Sequence, residues 1–363
     1  MKIINIVGAR PNFIKIAPIM RQMRKSSIIE PILLHTGQHY DIEMSKRFFE
    51  ELNIPSPDIS LEVGSDTHAK QVASIMERFD DVCDSQKPDG ILVVGDVNST
   101  MACSLVAAKK GIKIIHVEAG IRSFDREMPE EINRMVTDAI TDLLLPPSRD
   151  AVDNLLREGH PVSKIHLVGN IMIDTLMDSQ PQIMKSDIFH QLGIRERNYA
   201  LVTLHRPSNV DNISDFKRIL LALAKIQERL PIVFPVHPRT LKILDDPELK
   251  AITDNMPRLV FCDPLGYFDF GRLVSGCRMV ITDSGGIQEE STVYGIPCIT
   301  IRENTERPIT LSEGTNVLAG TDTAKIINFA DQILDGKWKI GKIPELWDGH
   351  TAERIISCIE KEL

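Results

Sequence analysis

The feature that most constrains this chain is the alternation, from end to end, of short apolar runs with amphipathic stretches. The runs Ile3–Val7, Ile32–His35, Ile91–Val94, Ile114–Val117, Leu143–Leu145 and Ile165–Val168 read as strands, followed by a second set: Ala200–Leu204, Ile232–Val236, Leu259–Phe261, Val280–Thr282, Cys298–Ile301 and Val317–Ala319. Helical periodicity marks Thr67–Cys83, Ser99–Lys109, Glu131–Thr141, Ile213–Arg229 and Thr323–Leu334 between them. Strands this short and apolar are buried on both faces, so the pattern predicts an α/β chain with parallel sheets covered by helices. The chain has 363 residues, too many for one ordinary core. A polar break near Gly169–Gly193 therefore predicts two domains, 1–169 and 170–349, with the helix Thr351–Leu363 able to join either.

In such sheets ligands bind beyond the carboxyl ends of the strands, and charged or imidazole groups recur there. Gly8-Ala9-Arg10-Pro11-Asn12-Phe13-Ile14-Lys15 follows the first run, Gly95-Asp96 the third, and Glu118-Ala119-Gly120-Ile121-Arg122 the fourth. In the second half, His205-Arg206, His237-Pro238-Arg239 and Asp283-Ser284-Gly285-Gly286 occupy the equivalent places. Contributions from both halves point to one cleft between two domains. Ser284-Gly285-Gly286 reads as a turn ahead of a helix, Ile287–Tyr294. Its free N–H groups and the helix dipole suit a phosphate, and Glu290, one turn in, is in reach of a ribose hydroxyl. Alone, the same turn is a weak signal, since most such turns serve only structure.

The net charge of −9 argues against nucleic acid or an anionic membrane as a partner, so phosphate-binding cations must be placed locally. No apolar run is long enough to span a membrane, and Met1–Gly8 reads as an opening strand rather than a signal peptide. Six scattered cysteines without C-x-x-C spacing read as thiols in a reducing cytoplasm, and neither they nor the histidines form a metal motif. Arg10 and Lys15 are candidates to neutralise phosphate, or to solvate a loop. Asp96 is a candidate acid or base, or a turn cap ahead of a helix capped by Asn98 or Ser99. Glu118, leaving a strand apolar on both faces, is a candidate acid or base, or a salt-bridge partner of Arg122. Glu130 is a further candidate, whereas Glu131 reads as serving the helix dipole. Beside a diphosphate, His205 and His237 would stabilise a departing negative charge, and Arg307 supplies another cation; each also has a bland reading as a loop residue.

Taken in order, Gly8–Lys15, Thr36-Gly37-Gln38-His39-Tyr40, Val94–Thr100, His116–Ser123, Met128–Arg134, Asp283–Glu290 and Thr305-Glu306-Arg307-Pro308 resemble the non-hydrolysing UDP-N-acetylglucosamine 2-epimerases over nearly the whole chain. The resemblance implies two Rossmann-like domains of glycosyltransferase-B type, with the C-terminal helix, about residues 350–363, on the first domain. It also implies a cytoplasmic homodimer without cofactor or metal. The implied reaction interconverts UDP-N-acetylglucosamine and UDP-N-acetylmannosamine, as UDP leaves anti to the C2 proton and adds back to a 2-acetamidoglucal. Matched by position, Asp96, Glu118, Glu130 and His205 correspond to that family's catalytic groups. Arg10, Lys15, Ser284, Gly285, Gly286, Glu290 and Arg307 correspond to its UDP contacts, and Phe270 to the uracil-stacking position. Two stretches depart from the bacterial pattern. His205–Asp211 is closer to the branch holding archaeal and diacetamido-uronate enzymes, and Gln38–Met44 differs in spacing from the loop that binds an activating second substrate molecule. Three other readings remain: an epimerase of UDP-2,3-diacetamido-glucuronic acid, a retaining glycosyltransferase, and an inactive nucleotide-sugar-binding regulator.

Overall fold

The computed structural model describes residues 1–37, 54, 56–236 and 238–363, and the side chains of Arg10, Pro238 and Arg239 lie outside that description. Met1–Asp178 together with Glu345–Leu363 form one compact unit, and Ser179–Pro344 form the other.

In the first unit the elements run β1 (Lys2–Val7), α1 (Arg10–Met23), β2 (Glu30–His35), β3 (Ile59–Ser60), α2 (His68–Gln86), β4 (Gly90–Val94), α3 (Asn98–Lys110), β5 (Lys113–Val117), α4 (Pro129–Ile140), β6 (Leu143–Leu145), α5 (Arg149–Arg157) and α6 (Ile171–Ile183), the last crossing into the second unit. The strands form one parallel sheet in the order β3-β2-β1-β4-β5-β6. Every residue of β4 is buried, as expected of a central parallel strand with helices on both faces. Ile4, Ile6, Ile91 and Val93 pack with Phe79 and Cys83 of α2 and Ala102 and Val106 of α3. The order reverses between β1 and β4, so the loops after these strands flank a crevice at the carboxyl edge.

The second unit repeats the plan. Its principal elements are β7 (Ala200–Thr203), α7 (Ile213–Ile226), β8 (Ile232–Pro235), β9 (Leu259–Cys262), α8 (Tyr267–Gly276), β10 (Met279–Thr282), α9 (Gly285–Val293), β11 (Cys298–Thr300), β12 (Asn316–Leu318) and α10 (Thr323–Leu334). The sheet order β12-β11-β10-β7-β8-β9 is again all parallel, with its reversal between β7 and β10. The last helix, α11 (Thr351–Glu362), belongs to the first unit: Asp174 of α6 accepts the backbone N–H groups of Thr351 and Ala352 at 3.0 and 2.7 Å and so caps its start.

Three local expectations change. Ile165–Val168 is no strand; it makes one bridge, Ile165 to Leu144, and two backbone bonds to the edge of the sheet before Gly169 turns away. The sixth strand of the first sheet is instead β3, whose two residues are hidden in the sequence by Pro55 and Pro57. Asn98 and Ser99 lie inside α3 rather than capping it, and Val97 is the cap residue.

Candidate active site

Both strand-order reversals carry the residues singled out from the sequence. At the first, Lys15 on α1 and Glu118 just beyond β5 meet across the end of β4, with Lys15 Nζ 2.6 Å from Glu118 Oε2. Glu118 is 3 % exposed and has φ +71°, a strained backbone for a residue with a side chain. Gly95 leaves the space for the pair. Its φ is +71°, and a Cβ there would sit 3.3 Å from Lys15 Nζ and 3.6 Å from Glu118 Oε2. The alternative reading of the sequence pairs Glu118 with the Arg122 guanidinium. Arg122 instead holds Asp138 at 2.7 Å and Glu158 at 2.6 Å.

Asp96 follows Gly95 and is bound at Oδ2 by Nη1 of Arg134. Pro129 starts α4 where its missing N–H costs nothing, and the helix turns Asn133, Arg134 and Asp138 inward. Asp138 is fully buried, with His116 Nδ1 2.6 Å away and the Gly120 N–H donating at 3.0 Å. His116 Nε2 lies 2.9 Å from the Gly95 carbonyl oxygen. This buried set ties the turn bearing Asp96 to the turn bearing Glu118. Burial opposes the charge of Asp138, but His116 and Arg122 outweigh it and hold its carboxyl below the ordinary range. Glu131 does more than serve the helix dipole. It turns back to accept the N–H groups of Ser123 and Phe124 at 3.0 and 2.9 Å. Glu130 is partly exposed in the first turn of α4. Arg10 begins α1, and its side chain lies outside the described residues.

At the second reversal, His205 beyond β7 meets Asp283 beyond β10, with Nδ1 2.9 Å from Oδ1. Asp283 is fully buried and also accepts the backbone N–H groups of His205 and Arg206 and the amide of Asn209. Burial opposes its charge, yet the bond from His205, with those from Arg206 and Asn209, keeps the carboxyl below its usual range. An Asp so fixed orients the imidazole, and the His205 side chain remains 46 % exposed.

Helix α9 begins at Gly285, not at Ile287, so the two glycines form its first turn and Ser284 precedes it. Ser284, Gly285 and Gly286 are all partly exposed. Neither glycine has positive φ; what Gly285 provides is clearance, because a Cβ there would stand 2.8 Å from Glu306 Oε1. Glu306 binds Arg302 at 2.7 Å and Arg206 at 3.4 Å. Burial opposes its charge, but Arg302, Arg307 and Arg206 bring its carboxyl down to about 2. Arg307 pairs with Glu289 at 2.5 Å. Glu290 is 4 % exposed. Burial first and the neighbouring Glu289 second push its carboxyl up to about 8, against a weaker opposing bond from the Tyr267 hydroxyl. Phe270 on α8 is partly buried against the cluster containing Leu273 and Ile287. His237 lies outside the described residues.

The sequence marked Asp283 only as a strand-end residue, without a role of its own, and did not single out Arg134, Asp138 or Arg302. Asp283, Arg134 and Asp138 act on neighbours distant in sequence, brought together only by strand pairing or helix facing, whereas Arg302 pairs with Glu306 four residues on. The one signal available was position, because Asp283 and His205 each directly follow a strand-end segment.

Two doubly wound sheets of the same order, each with polar groups at its reversal and one with a glycine-led helix start ringed by arginines, define the glycosyltransferase-B type of two Rossmann-like halves. Residues 21–360 match the family described as UDP-N-acetylglucosamine 2-epimerase, and the chain belongs to that family. A protein of Methanococcus maripaludis named UDP-N-acetylglucosamine 2-epimerase is 40 % identical over 361 residues, 98 % of this chain and 97 % of the relative. The UDP-2,3-diacetamido-2,3-dideoxy-D-glucuronate 2-epimerase of Pseudomonas aeruginosa is 39 % identical, covering 91 % of each chain. The solved structure of Methanocaldococcus jannaschii UDP-GlcNAc 2-epimerase in complex with UDP-GlcNAc and UDP superposes with a TM-score of 0.90, at 39 % identity over 99 % of this chain and 100 % of that one.

Proposed function

We propose that this protein interconverts UDP-N-acetylglucosamine and UDP-N-acetylmannosamine. A carboxylate takes the C2 proton, the C–H electron pair becomes the C1–C2 double bond, and UDP departs with the C1–O pair. UDP then adds back to C1 of the 2-acetamidoglucal as C2 is protonated from the opposite face. The observation that carries the reading is the pair of carboxylates at neighbouring strand ends, Glu118 held by Lys15 and Asp96 held by Arg134. Epimerisation needs a base on one face and an acid on the other. Glu130 is the third carboxylate of this set. In the second unit, Ser284–Gly286, Arg307 and the oriented His205 suit the diphosphate that leaves and returns, with Glu290 for the ribose and Phe270 for the uracil. Arg10, Lys15 and His237 complete the cationic set.

The diacetamido-uronate is the second reading, supported by the Pseudomonas relative. Its extra carboxylate calls for a further cation beside the sugar. Lys15, Arg122 and Arg134 each already have a carboxylate partner, which favours the uncharged sugar. A glycosyltransferase or a regulator would have no use for Asp96, Glu118 and Glu130 together. The reading carries with it a homodimer in the cytoplasm; six free thiols support the compartment. The test is incubation with UDP-N-acetylglucosamine in deuterium oxide. Deuterium at C2 and the manno epimer are expected; exchange with the diacetamido-uronate alone would transfer the assignment to that substrate.

A further inference from the structure

The carboxylate of Asp96 is one-third exposed, yet its position is set by a buried neighbour. Arg134 is 2 % exposed and stands on the inner face of α4. One edge of its guanidinium, Nε and Nη2, grips Glu131 Oε2 at 3.0 and 2.7 Å. Glu131 cannot swing away, since it is 1 % exposed and accepts the backbone N–H groups of Ser123 and Phe124. A guanidinium is planar and rigid, so fixing one edge fixes the direction of the remaining nitrogen. That nitrogen, Nη1, donates to Asp96 Oδ2. The adjacent Asn133 donates to the Asp96 carbonyl oxygen at 2.9 Å and holds the backbone as well. Lys could supply the charge but not the two-edged reach. Both the main chain and one carboxylate oxygen of Asp96 are thus placed by α4, the helix that also bears Glu130.

We infer that Arg134 is a positioning residue for proton transfer at C2: it ties down Oδ2 of Asp96 so that Oδ1 is the oxygen that exchanges the proton with substrate. This rests on the epimerase reading. When Oδ1 accepts, the O–H bond forms as C2–H breaks, and the electron pair left on C2 expels UDP from C1; in the reverse sense the same bond returns the proton. Arg134 touches no substrate atom in this scheme, and its loss acts through Asp96.

The experiment is a double-mutant cycle in turnover with R134Q, D96N and both together, alongside UDP affinity by calorimetry. Arg134→Gln is expected to lower kcat about 10²-fold with UDP affinity within about twofold of the parent. Added to D96N it should cost less than about threefold more, because the group it serves is already gone. R134K keeps a cation beside Glu131, so it preserves the fold if Gln does not; it should melt near the parent and still lose turnover. Losses that multiply in the double variant, or UDP affinity falling as far as kcat, would overturn the role of Arg134 while wild-type exchange at C2 leaves the epimerase reading standing. No exchange by the wild-type protein on either UDP-sugar removes that reading and the inference with it.

Discussion

Replacing Glu290 by Gln should make the second unit more stable at alkaline pH, and by an amount that grows with pH. Glu290 is buried on α9 between Glu289 of its own helix, the Tyr267 hydroxyl of α8 and Tyr294 at the helix end, while Arg307 is engaged with Glu289. Its carboxyl keeps its proton up to about pH 8 when folded, against 4.5 for the free group. Between these values the folded state binds the proton and the unfolded state has released it, so rising pH favours unfolding. The stabilisation is complete below 4.5, declines by about 1.4 kcal/mol per pH unit, and is exhausted near 8. Gln has the same shape and no proton to lose. From pH 5.5 to 7.5 the gap between E290Q and the parent should therefore widen by roughly 2–3 kcal/mol. The assay is urea unfolding at each pH in a W347F background, where Trp338, packed on Phe329 in the second unit, is the remaining tryptophan. A gap that stays constant over this range would show that Glu290 is ionised in the folded protein and that burial beside Glu289 does not hold its proton.

Three further outcomes can be checked directly. E118Q should lower kcat by about 10²-fold or more and leave UDP affinity, measured by calorimetry, nearly unchanged; equal loss of both would make Glu118 a structural residue. D283N should misorient His205 and lower kcat by about 10²–10⁴-fold, as removing the carboxylate behind a catalytic imidazole does elsewhere; a change within a few fold would mean the pair is structural. G285A brings a methyl against Glu306 Oε1 at 2.8 Å and should weaken UDP binding about tenfold, roughly 1.4 kcal/mol, while leaving the melting temperature of the first unit unmoved. Unaltered affinity would remove the start of α9 from the phosphate site.

The α/β class, the parallel sheets and nearly every central strand were legible because burial on both faces writes a continuous apolar run, as in Gly90–Val94 and Met279–Thr282. Edge elements were not. Two residues suffice for β3 when a neighbour supplies the hydrogen bonds, whereas Ile165–Val168 has the composition of a strand and lacks that neighbour for all but one bridge. The site was legible as a set of positions, since polar residues directly after apolar runs lie at the carboxyl edge of a parallel sheet.

By itself the sequence determined which residues reach the sheet edges: Lys15, Asp96, Glu118, His205 and the glycines that open α9. Partnership was decided by the tertiary structure alone. Lys15 meets Glu118 rather than another anion because β1, β4 and β5 lie side by side. Asp96 is held by Arg134 because α4 turns that face toward the sheet. His205 finds Asp283 because β7 and β10 are neighbours. Composition and periodicity are local along the chain, whereas the energy of a charge depends on what stands within a few ångströms of it in space, and these partners come from segments far apart in sequence.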